Sequence, residues 1–399
     1  GCESGGETLR TAAALLSMSD RVKVLYLIER LARAGTELHV LQVLQRLDRS
    51  RFEPVLCCLS EETTDKSLLP KDVPHRLLGA GWNLVRPRTY LVYRRLRELI
   101  AREKPDVLHS FLFVANVLGS FAARREKTPC VVASRGRMGI EWKAHFLHRL
   151  AQRAANRRCD LLICKTQAMA REVERLEGMP RERIRVIPNG VEIDRFVFQP
   201  GAAAENRRLL QEEHGISADG PLVIAVGNLK PVKGHRTLVE AAAALVDSFP
   251  RLQVAIVGKG ESAAELRDAI RSRALPRHVF LPGNFEDVRP WMRAADVFVA
   301  PSLSEGMPNA VLEAMAMGLP VVLSNIPGHV EAAGPDAWYF QPQDAEGLAR
   351  ELADALASPN RRAERGRAGC ERVRAQMSVD AMVRRIESLY CELVGERRP

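Results

Sequence analysis

The stretch APSLSEGMPNAVLEAMAMGLPVV, residues 300–322, reads as the end of a strand, a loop, a helix, a turn and a second strand. An apolar run closes at residues 298–300 and Pro301 stops it. Glu305-Gly306-Met307-Pro308 is a loop whose glycine lets backbone come close to another group, and Pro308 suits the first turn of a helix. Residues 309–317, rich in Ala, Leu and Met, are predicted to form that helix, with Gly318 ending it. Glu305 precedes the helix and Glu313 lies within it. Carboxylates in so apolar a segment are costly to bury unless something hydrogen-bonds to them; ribose and hexose hydroxyls are suitable partners. The helix N-terminus beside them offers unpaired N–H groups and a positive dipole end, which suits a phosphate.

The pattern E-G-x-P-x4-E-A-M-A-x-G-x-P-V, beginning at Glu305, resembles the donor-site signature of retaining glycosyltransferases of family 4, which have the GT-B fold. The plainer reading of the same residues is a buried helix with one solvated and one structural glutamate. The resemblance implies a nucleotide-diphospho-sugar donor, with Glu305 holding sugar hydroxyls and Glu313 the nucleoside ribose. It also puts Gly306, Met307, Pro308 and Asn309 against the donor.

The chain has 399 residues, enough for two or three domains with substantial cores. Hydrophobic content of 46% with 27% charged residues is that of a soluble globular protein. No apolar run approaches the ~20 residues that span a bilayer. Residues 11–18 are too short and too weakly flanked by charge for a signal peptide, and residues 1–19 are expected to be a poorly ordered tail. The eight cysteines, Cys2, Cys57, Cys58, Cys130, Cys159, Cys164, Cys370 and Cys391, form no CxxC and no Cys/His cluster with zinc spacing. They read as small core residues in a reducing compartment. Of the net charge of +10, residues 1–200 carry +12 (35 Lys+Arg, 23 Asp+Glu) and residues 201–399 carry −2 (24 and 26). That asymmetry points to two domains and an anionic partner for the first, or to solvated basic faces.

Residues 22–28 (VKVLYLI) are an apolar run suited to a buried parallel strand. A loop ending in Ala34-Gly35-Thr36 follows, then helical spacing over 37–46. This resembles the family's first strand–loop–helix unit, where a Gly-Gly loop lies over the donor diphosphate; here Ala34-Gly35 stands in that place. Residues 90–102 are predicted helical, with Arg94, Arg95, Arg97 and Arg102 opposite an apolar face. Strand 105–109 ends in His109 at the carboxyl edge, where open α/β sheets bind ligands. His109 is either a satisfied core histidine or an acceptor contact. After strand 130–133, Ser134-Arg135 replaces a histidine that several family members carry near the transferring sugar. Arg135 and Arg137 are either surface arginines or contacts to an anionic acceptor. Residues 144–158 form a basic amphipathic helix, a packed surface element or one that touches a membrane. Residues 183–192 (RIRVIPNGVE) resemble the family's V-I-P-N-G-V-D segment, with Glu192 for Asp. Residues 195–206 lose periodicity, as a linker does.

A second series opens with strand 222–226 and the loop Gly227-Asn228-Leu229-Lys230-Pro231-Val232-Lys233-Gly234, before a helix over 237–249. Two lysines near a helix N-terminus make an anion site by ordinary electrostatics, or are exposed lysines on a turn. The loop resembles the family's G-R-L-x-P-x-K-G phosphate loop: Lys233 matches its lysine, Asn228 stands where arginine is usual, and Lys230 is available to compensate. Strand 252–257 leads into Gly258-Lys259-Gly260-Glu261-Ser262-Ala263, a G-x-G-x-x-A match to the dinucleotide fingerprint, which is weak alone. No acidic residue follows in 279–284 to bind an adenosine ribose. The loop at Asn284 would, by resemblance, lie beside the nucleotide base. Gly328–Glu331 is similar to G-G-x-x-E, with His329 for the second glycine. Residues 345–395 are predicted helical, and in this fold the final helix crosses back onto the first domain.

Strands alternating with helices through both halves predict two doubly wound Rossmann-like α/β domains. The expected domains are 20–197 with 380–399 packed back on it, taking the acceptor, and 198–379, taking the donor. The expected function is a metal-independent retaining glycosyltransferase moving a hexosyl group from a nucleotide sugar to a glycan or lipid-linked acceptor. Lys233 and Glu305 carry the chemistry. No cofactor beyond the donor substrate is implied, nor a nucleic-acid partner. The expected location is cytoplasmic, either free or in peripheral contact with an anionic membrane surface on its inner face. Two other classes stay open: a dinucleotide-dependent oxidoreductase resting on Gly258 and Gly260, and a basic anion-binding protein without catalysis.

Overall fold

The structure, a computed structural model, describes residues 21–32, 35–79, 87–136, 146–197, 201–217 and 219–396. The expected tail, Ala34 and Arg137 lie outside the described residues. The chain divides into two units. The first comprises Gly1–Lys165, Met169–Ile187 and Met382–Pro399; the second comprises Thr166–Ala168 and Pro188–Ala381. The division at Ile187 corrects the boundary expected at 197/198. Val191 and Phe196 are buried in the second unit's core, so the segment after Pro188 is part of that unit and not a linker. The linker reading also fails at its far end, because Ala202–His214 is a helix that buries Asn206 and Leu210.

The first unit holds seven strands: β1 (Val22–Ile28), β2 (Phe52–Cys58), β3 (His75–Leu77), β4 (Val107–Phe111), β5 (Cys130–Ser134), β6 (Leu161–Cys164) and β7 (Ile184–Val186). Their order is β3-β2-β1-β4-β5-β6-β7, and every pairing is parallel. Helices cover both faces of such a sheet, which is why its strands read as continuous apolar runs rather than alternating ones; β4 and β5 are buried at every position. Ile28 pairs with Phe111 in the register, so β1 and β4 end level, at the point where the strand order reverses. The core of one face joins Leu25, Leu27, Leu96, Leu99, Leu108 and Leu162. Each such side chain contributes roughly 1.5–3 kcal/mol when fully buried.

The helix Val379–Gly395 explains His109. Tyr390 is fully buried; its hydroxyl lies 2.5 Å from His109 Nδ1 and donates to Tyr26 Oη at 3.2 Å. Ser134 Oγ lies 2.8 Å from His109 Nε2. Both ring nitrogens are therefore engaged within the unit and the side chain is 0% exposed. His109 is a satisfied core histidine, and the alternative of an acceptor contact is corrected. The same helix accepts the Asp48 N–H on Glu387 Oε1 at 2.8 Å, which ties it to the turn between the helix Gly35–Arg46 and β2.

The second unit holds β8 (Leu222–Val226), β9 (Gln253–Val257), β10 (Val279–Gly283), β11 (Val297–Ala300), β12 (Val321–Ser324) and β13 (Trp338–Phe340). They form a parallel sheet in the order β10-β9-β8-β11-β12-β13. Trp291 and Trp338 are among its largest fully buried side chains, one in each of two cores. The order reverses between β8 and β11, so the loops that follow these two strands stand together at the carboxyl edge, where open sheets bind ligands. The helix after β8 runs His235–Leu245, ending earlier than expected and also starting earlier, because Gly234 at φ +64° provides its left-handed entry.

Candidate functional site

The site is built from the loops after β8 and β11. After β8, Pro231–Lys233 makes one tight turn, with the Lys233 N–H donating to Lys230 O at 2.9 Å and the Gly234 N–H to Pro231 O at 3.0 Å. A Cβ on Gly234 would lie 2.0 Å from Pro301 O, so only glycine lets the two loops close. The Leu303 N–H then donates to Val232 O at 2.8 Å and locks them together. This brings Lys233 Nζ to 2.5 Å from Glu305 Oε1. Ser302, which is buried, donates its hydroxyl to the same carboxylate oxygen at 2.9 Å, and Ser324 at the end of β12 fixes Ser302 through its carbonyl at 2.5 Å. Lys233 and Glu305 thus form a partly exposed pair held by loop backbone, with Lys230 and Asn228 exposed beside it.

The G-x-G turn serves this loop and is not a free cradle. A Cβ on Gly258 would lie 1.9 Å from Gly227 O, and one on Gly260 2.3 Å from Leu229 O. The Leu229 N–H donates to Lys259 O and the Ser262 N–H to Leu229 O, both at 2.9 Å. Both glycines are filled by protein backbone, which accounts for the fingerprint without a dinucleotide.

Behind Glu305 the helix Pro327–Ala333 packs so closely that a Cβ on Gly328 would lie 2.6 Å from Glu305 O. His329 is 0% exposed. Its Nδ1 lies 3.0 Å from Ser324 O, while Nε2 has no partner among the described residues. Burial pushes its pKa down to about 4, with Glu305 acting in the opposite direction. His235, on the other side of Lys233, is also held down to about 4 by burial and by the Lys233 charge. Both are neutral rings beside the ion pair. Sequence reasoning noted His329 only as a replacement for glycine and passed over His235; the signal available was a histidine directly after each loop glycine.

Asn309–Ala316 is the helix after the Glu305 loop. Met307 is buried in the core, so what it can offer a ligand is backbone. Asn309 Oδ1 accepts from Asn189 Nδ2 at 2.7 Å. Glu313 sits largely buried, and burial pushes its carboxyl up to about 7; Arg195 acts against that shift and Glu192 with it. A carboxyl so placed is near half-protonated at neutral pH and can accept or donate a hydrogen bond to a diol. Asn284 is exposed directly after β10, and the Gly258 N–H donates to Gly283 O at 2.7 Å, so the Asn284 loop adjoins the same edge. Lys233, Lys230, Asn228, Glu305, Gly306, Asn309 and Asn284 therefore all belong to the second unit's carboxyl edge.

In the first unit, Gly35 is exposed at the start of the helix Gly35–Arg46. The Arg135 guanidinium bonds the Glu177 carboxylate and lies 3.4 Å from Gln152 Oε1. It is committed to an internal ion pair, and neither the surface nor the acceptor reading describes it. The arginine face of Pro87–Glu103 is also partly committed. Arg95 donates to Leu78 O at 2.8 Å, Arg97 meets Glu126 at 2.6 Å and Arg94 meets Glu98 at 3.3 Å. Among the described residues no three His, Cys, Asp or Glu side chains converge as metal ligands, and no helix is long and apolar enough to cross a membrane.

Comparison with known proteins agrees with this geometry. Residues 206–372 match the model for glycosyl transferases group 1, and residues 33–195 that for Glycosyltransferase Family 4. The UDP-Gal:alpha-D-GlcNAc-diphosphoundecaprenol alpha-1,3-galactosyltransferase of Escherichia coli is 29% identical over 337 residues, 78% of this chain and 82% of that one. The D-inositol 3-phosphate glycosyltransferase of Acidothermus cellulolyticus is 30% identical over 328 residues, 73% and 68% of the two chains. Among solved structures, Anabaena Alr3699/HepE in complex with UDP superposes with a TM-score of 0.81 at 20% identity, covering 93% of this chain and 100% of that one. With two parallel α/β units of GT-B type and these relatives, the chain belongs to the family 4-type glycosyltransferases.

Proposed function

We propose that this glycosyltransferase moves a hexosyl group from a nucleoside diphospho-hexose to a lipid-linked glycan, with retention of configuration and without a metal ion or other cofactor. The observation that carries the reading is the Lys233–Glu305 pair at 2.5 Å, one cation and one carboxylate on loops beside two helix N-termini. As the anomeric carbon leaves the donor, charge gathers on the β-phosphate. Lys233, with Lys230 close in sequence and exposed, is suited to stabilise it. Glu305 is suited to hold sugar hydroxyls and Glu313 the ribose diol. The acceptor hydroxyl attacks the anomeric carbon from the face the phosphate leaves, forming its bond as the carbon–phosphate-oxygen bond breaks and passing its proton to the departing phosphate oxygen, which keeps the anomeric configuration.

The lipid-linked acceptor is supported by the Escherichia coli relative, whose name places its acceptor sugar on diphosphoundecaprenol. It is also supported by the helix Phe146–Asn156, which exposes Phe146 at 71%, Leu147 at 75% and Leu150 at 46% around Arg149. An apolar cluster flanked by arginine is suited to the surface of an anionic bilayer.

Thermal melts with UDP-, GDP- and ADP-hexoses test the donor, since a ligand bound only by the folded state raises its apparent stability. One nucleotide series is expected to raise the melting temperature. Transfer from that donor to a lipid-linked sugar is expected to survive EDTA. No shift with any nucleotide overturns the reading, and activity that returns only with Mg²⁺ or Mn²⁺ overturns its metal-free form.

A further inference from the structure

The residue directly after β6 is Lys165, and its side chain is buried at 5% exposure. Its Nζ lies 3.0 Å from His39 Nε2. His39, 3% exposed, belongs to the helix Gly35–Arg46, and its ring centroid stands 6.0 Å from that of Phe111 at the end of β4. With β4, β5 and β6 adjacent in the sheet, the lysine reaches from the end of β6 past the end of β5 to a histidine over the end of β4. That is the carboxyl edge, next to the reversal of strand order between β1 and β4, where sheets of this kind bind ligands.

Among the described residues an ammonium in that position has no counter-charge. Among the described residues its one hydrogen-bonding partner is the His39 ring, and no carboxylate pairs with it. Burial pushes the amine down to about 7, with only the Cys164 thiol acting the other way. Burial, Lys165 and His109 together hold His39 well below the usual histidine range. The Cys164 thiol itself is pushed up to about 12, so it supplies no negative charge at neutral pH. A leucine or methionine would fill the same volume without the desolvation penalty of a buried amine. The pair is therefore poorly explained by packing, and well suited to an anion that completes it. Gly35 is exposed at the N-terminus of the His39 helix, and Gly136, after β5, comes so close that an added Cβ would meet Thr36 Oγ1 at 2.9 Å. Helix N–H groups and the buried amine are thus on the same edge.

We propose that Lys165, seated on His39, binds a phosphate or diphosphate group of the acceptor at the carboxyl edge of the first unit's sheet and so selects anionic acceptors. This rests on the glycosyltransferase reading, in which the first unit takes the acceptor. An arriving anion holds a proton on Nζ, so binding near neutral pH takes up a proton from solvent.

Titration calorimetry of the full chain with inorganic pyrophosphate tests it. The protein is first saturated with whichever of UDP, GDP or ADP stabilises it, so that the donor site is filled, and two buffers of different ionisation heat report proton uptake. The parent is expected to bind pyrophosphate with proton uptake. Lys165→Met is expected to weaken this by about tenfold or more, with nucleoside diphosphate affinity unchanged. Lys165→Arg is expected to keep binding but lose the buffer dependence, a difference that a purely structural lysine would not produce. Should the methionine variant not fold, the arginine variant decides. Pyrophosphate binding absent from the saturated parent, or unaltered in heat and affinity in both variants, overturns the proposal. An equal loss of nucleoside diphosphate affinity assigns the pair to the donor and also overturns it. Failure of the glycosyltransferase reading is seen separately, as no nucleoside diphosphate binding to the parent.

Discussion

Lys233 and Glu305, separated by 72 positions in sequence, meet at 2.5 Å because Gly234 lets the loop after β8 close on Pro301. Each is the other's counter-charge in the free protein, so a donor diphosphate must share or displace Glu305 at the lysine. Lys233→Ala is expected to weaken nucleoside diphosphate binding by about 1.5–3 kcal/mol, the usual loss for a hydrogen bond to a charged group, and to leave nucleoside binding unchanged. Glu305→Gln frees the lysine, so nucleoside diphosphate affinity should hold or rise while kcat and kcat/KM fall together. Calorimetry and steady-state kinetics on the two variants check this. Equal loss of nucleoside and diphosphate in Lys233→Ala would remove the lysine from the phosphate.

Gly260→Ala tests whether the G-x-G turn is a packing device. Its new Cβ would stand 2.3 Å from Leu229 O, against backbone that cannot rotate away. Overpacking of this kind costs typically 1–3 kcal/mol, and the loop that carries Lys233 would shift with it. A lower melting temperature without any ligand is expected, together with weaker nucleoside diphosphate binding. Unchanged stability with only a binding defect would instead indicate that ligand, and not Leu229, fills the space.

The architecture was legible because parallel strands buried on both faces are written as short, unbroken apolar runs, as in VKVLYLI and LVIAV. The loops beside helix starts were legible for a related reason: glycine, proline and charge cluster where the backbone turns sharply between strand and helix. Pairing was not. Nothing local in Lys233 or Glu305 says that one meets the other. His109 shows the same limit, since a histidine ending a strand looks alike whether its ring faces a ligand or, as here, Tyr390 and Ser134. Arg135, directly after β5, belongs with it, because its partner Glu177 lies 42 positions on, at the end of the helix Gln167–Glu177. The fingerprint at Gly258 was ambiguous because close approach by a cofactor and by Gly227 backbone demand the same residue.

Glu313→Gln carries a pH signature. The parent carboxyl is raised from 4.5 to about 7. Below about pH 4.5 it is protonated in both folded and unfolded chains and has no net effect. Between there and about pH 7 the unfolded chain ionises first, so the folded state loses stability as pH rises, on the order of 3 kcal/mol by the upper end. Glutamine has no such loss. Urea melts at pH 5 and pH 8 should therefore show the variant gaining on the parent as pH rises. Nucleoside and nucleoside diphosphate should both bind the variant more weakly, because the ribose contact is common to them. A stability gap independent of pH would mean that this carboxyl is solvated.

Membrane contact is expected to depend on Phe146, Leu147 and Leu150 rather than on the arginines of Pro87–Glu103. Arg95 and Arg97 are held by Leu78 O and Glu126, so reversing their charge would break internal contacts before it altered any surface. The three apolar side chains are exposed and none belongs to the core clusters of the described residues. Anionic lipid attracts about 1 kcal/mol per basic residue near its surface, and salt screens that term but not apolar insertion. Phe146→Ser, Leu147→Ser and Leu150→Ser combined should therefore abolish sedimentation with phosphatidylglycerol vesicles at physiological salt, while Arg149→Glu should weaken it chiefly at low salt. Donor affinity should be the same in all three proteins. Equal vesicle binding by the triple variant and the parent would show that this helix face does not meet lipid, and would favour a soluble acceptor.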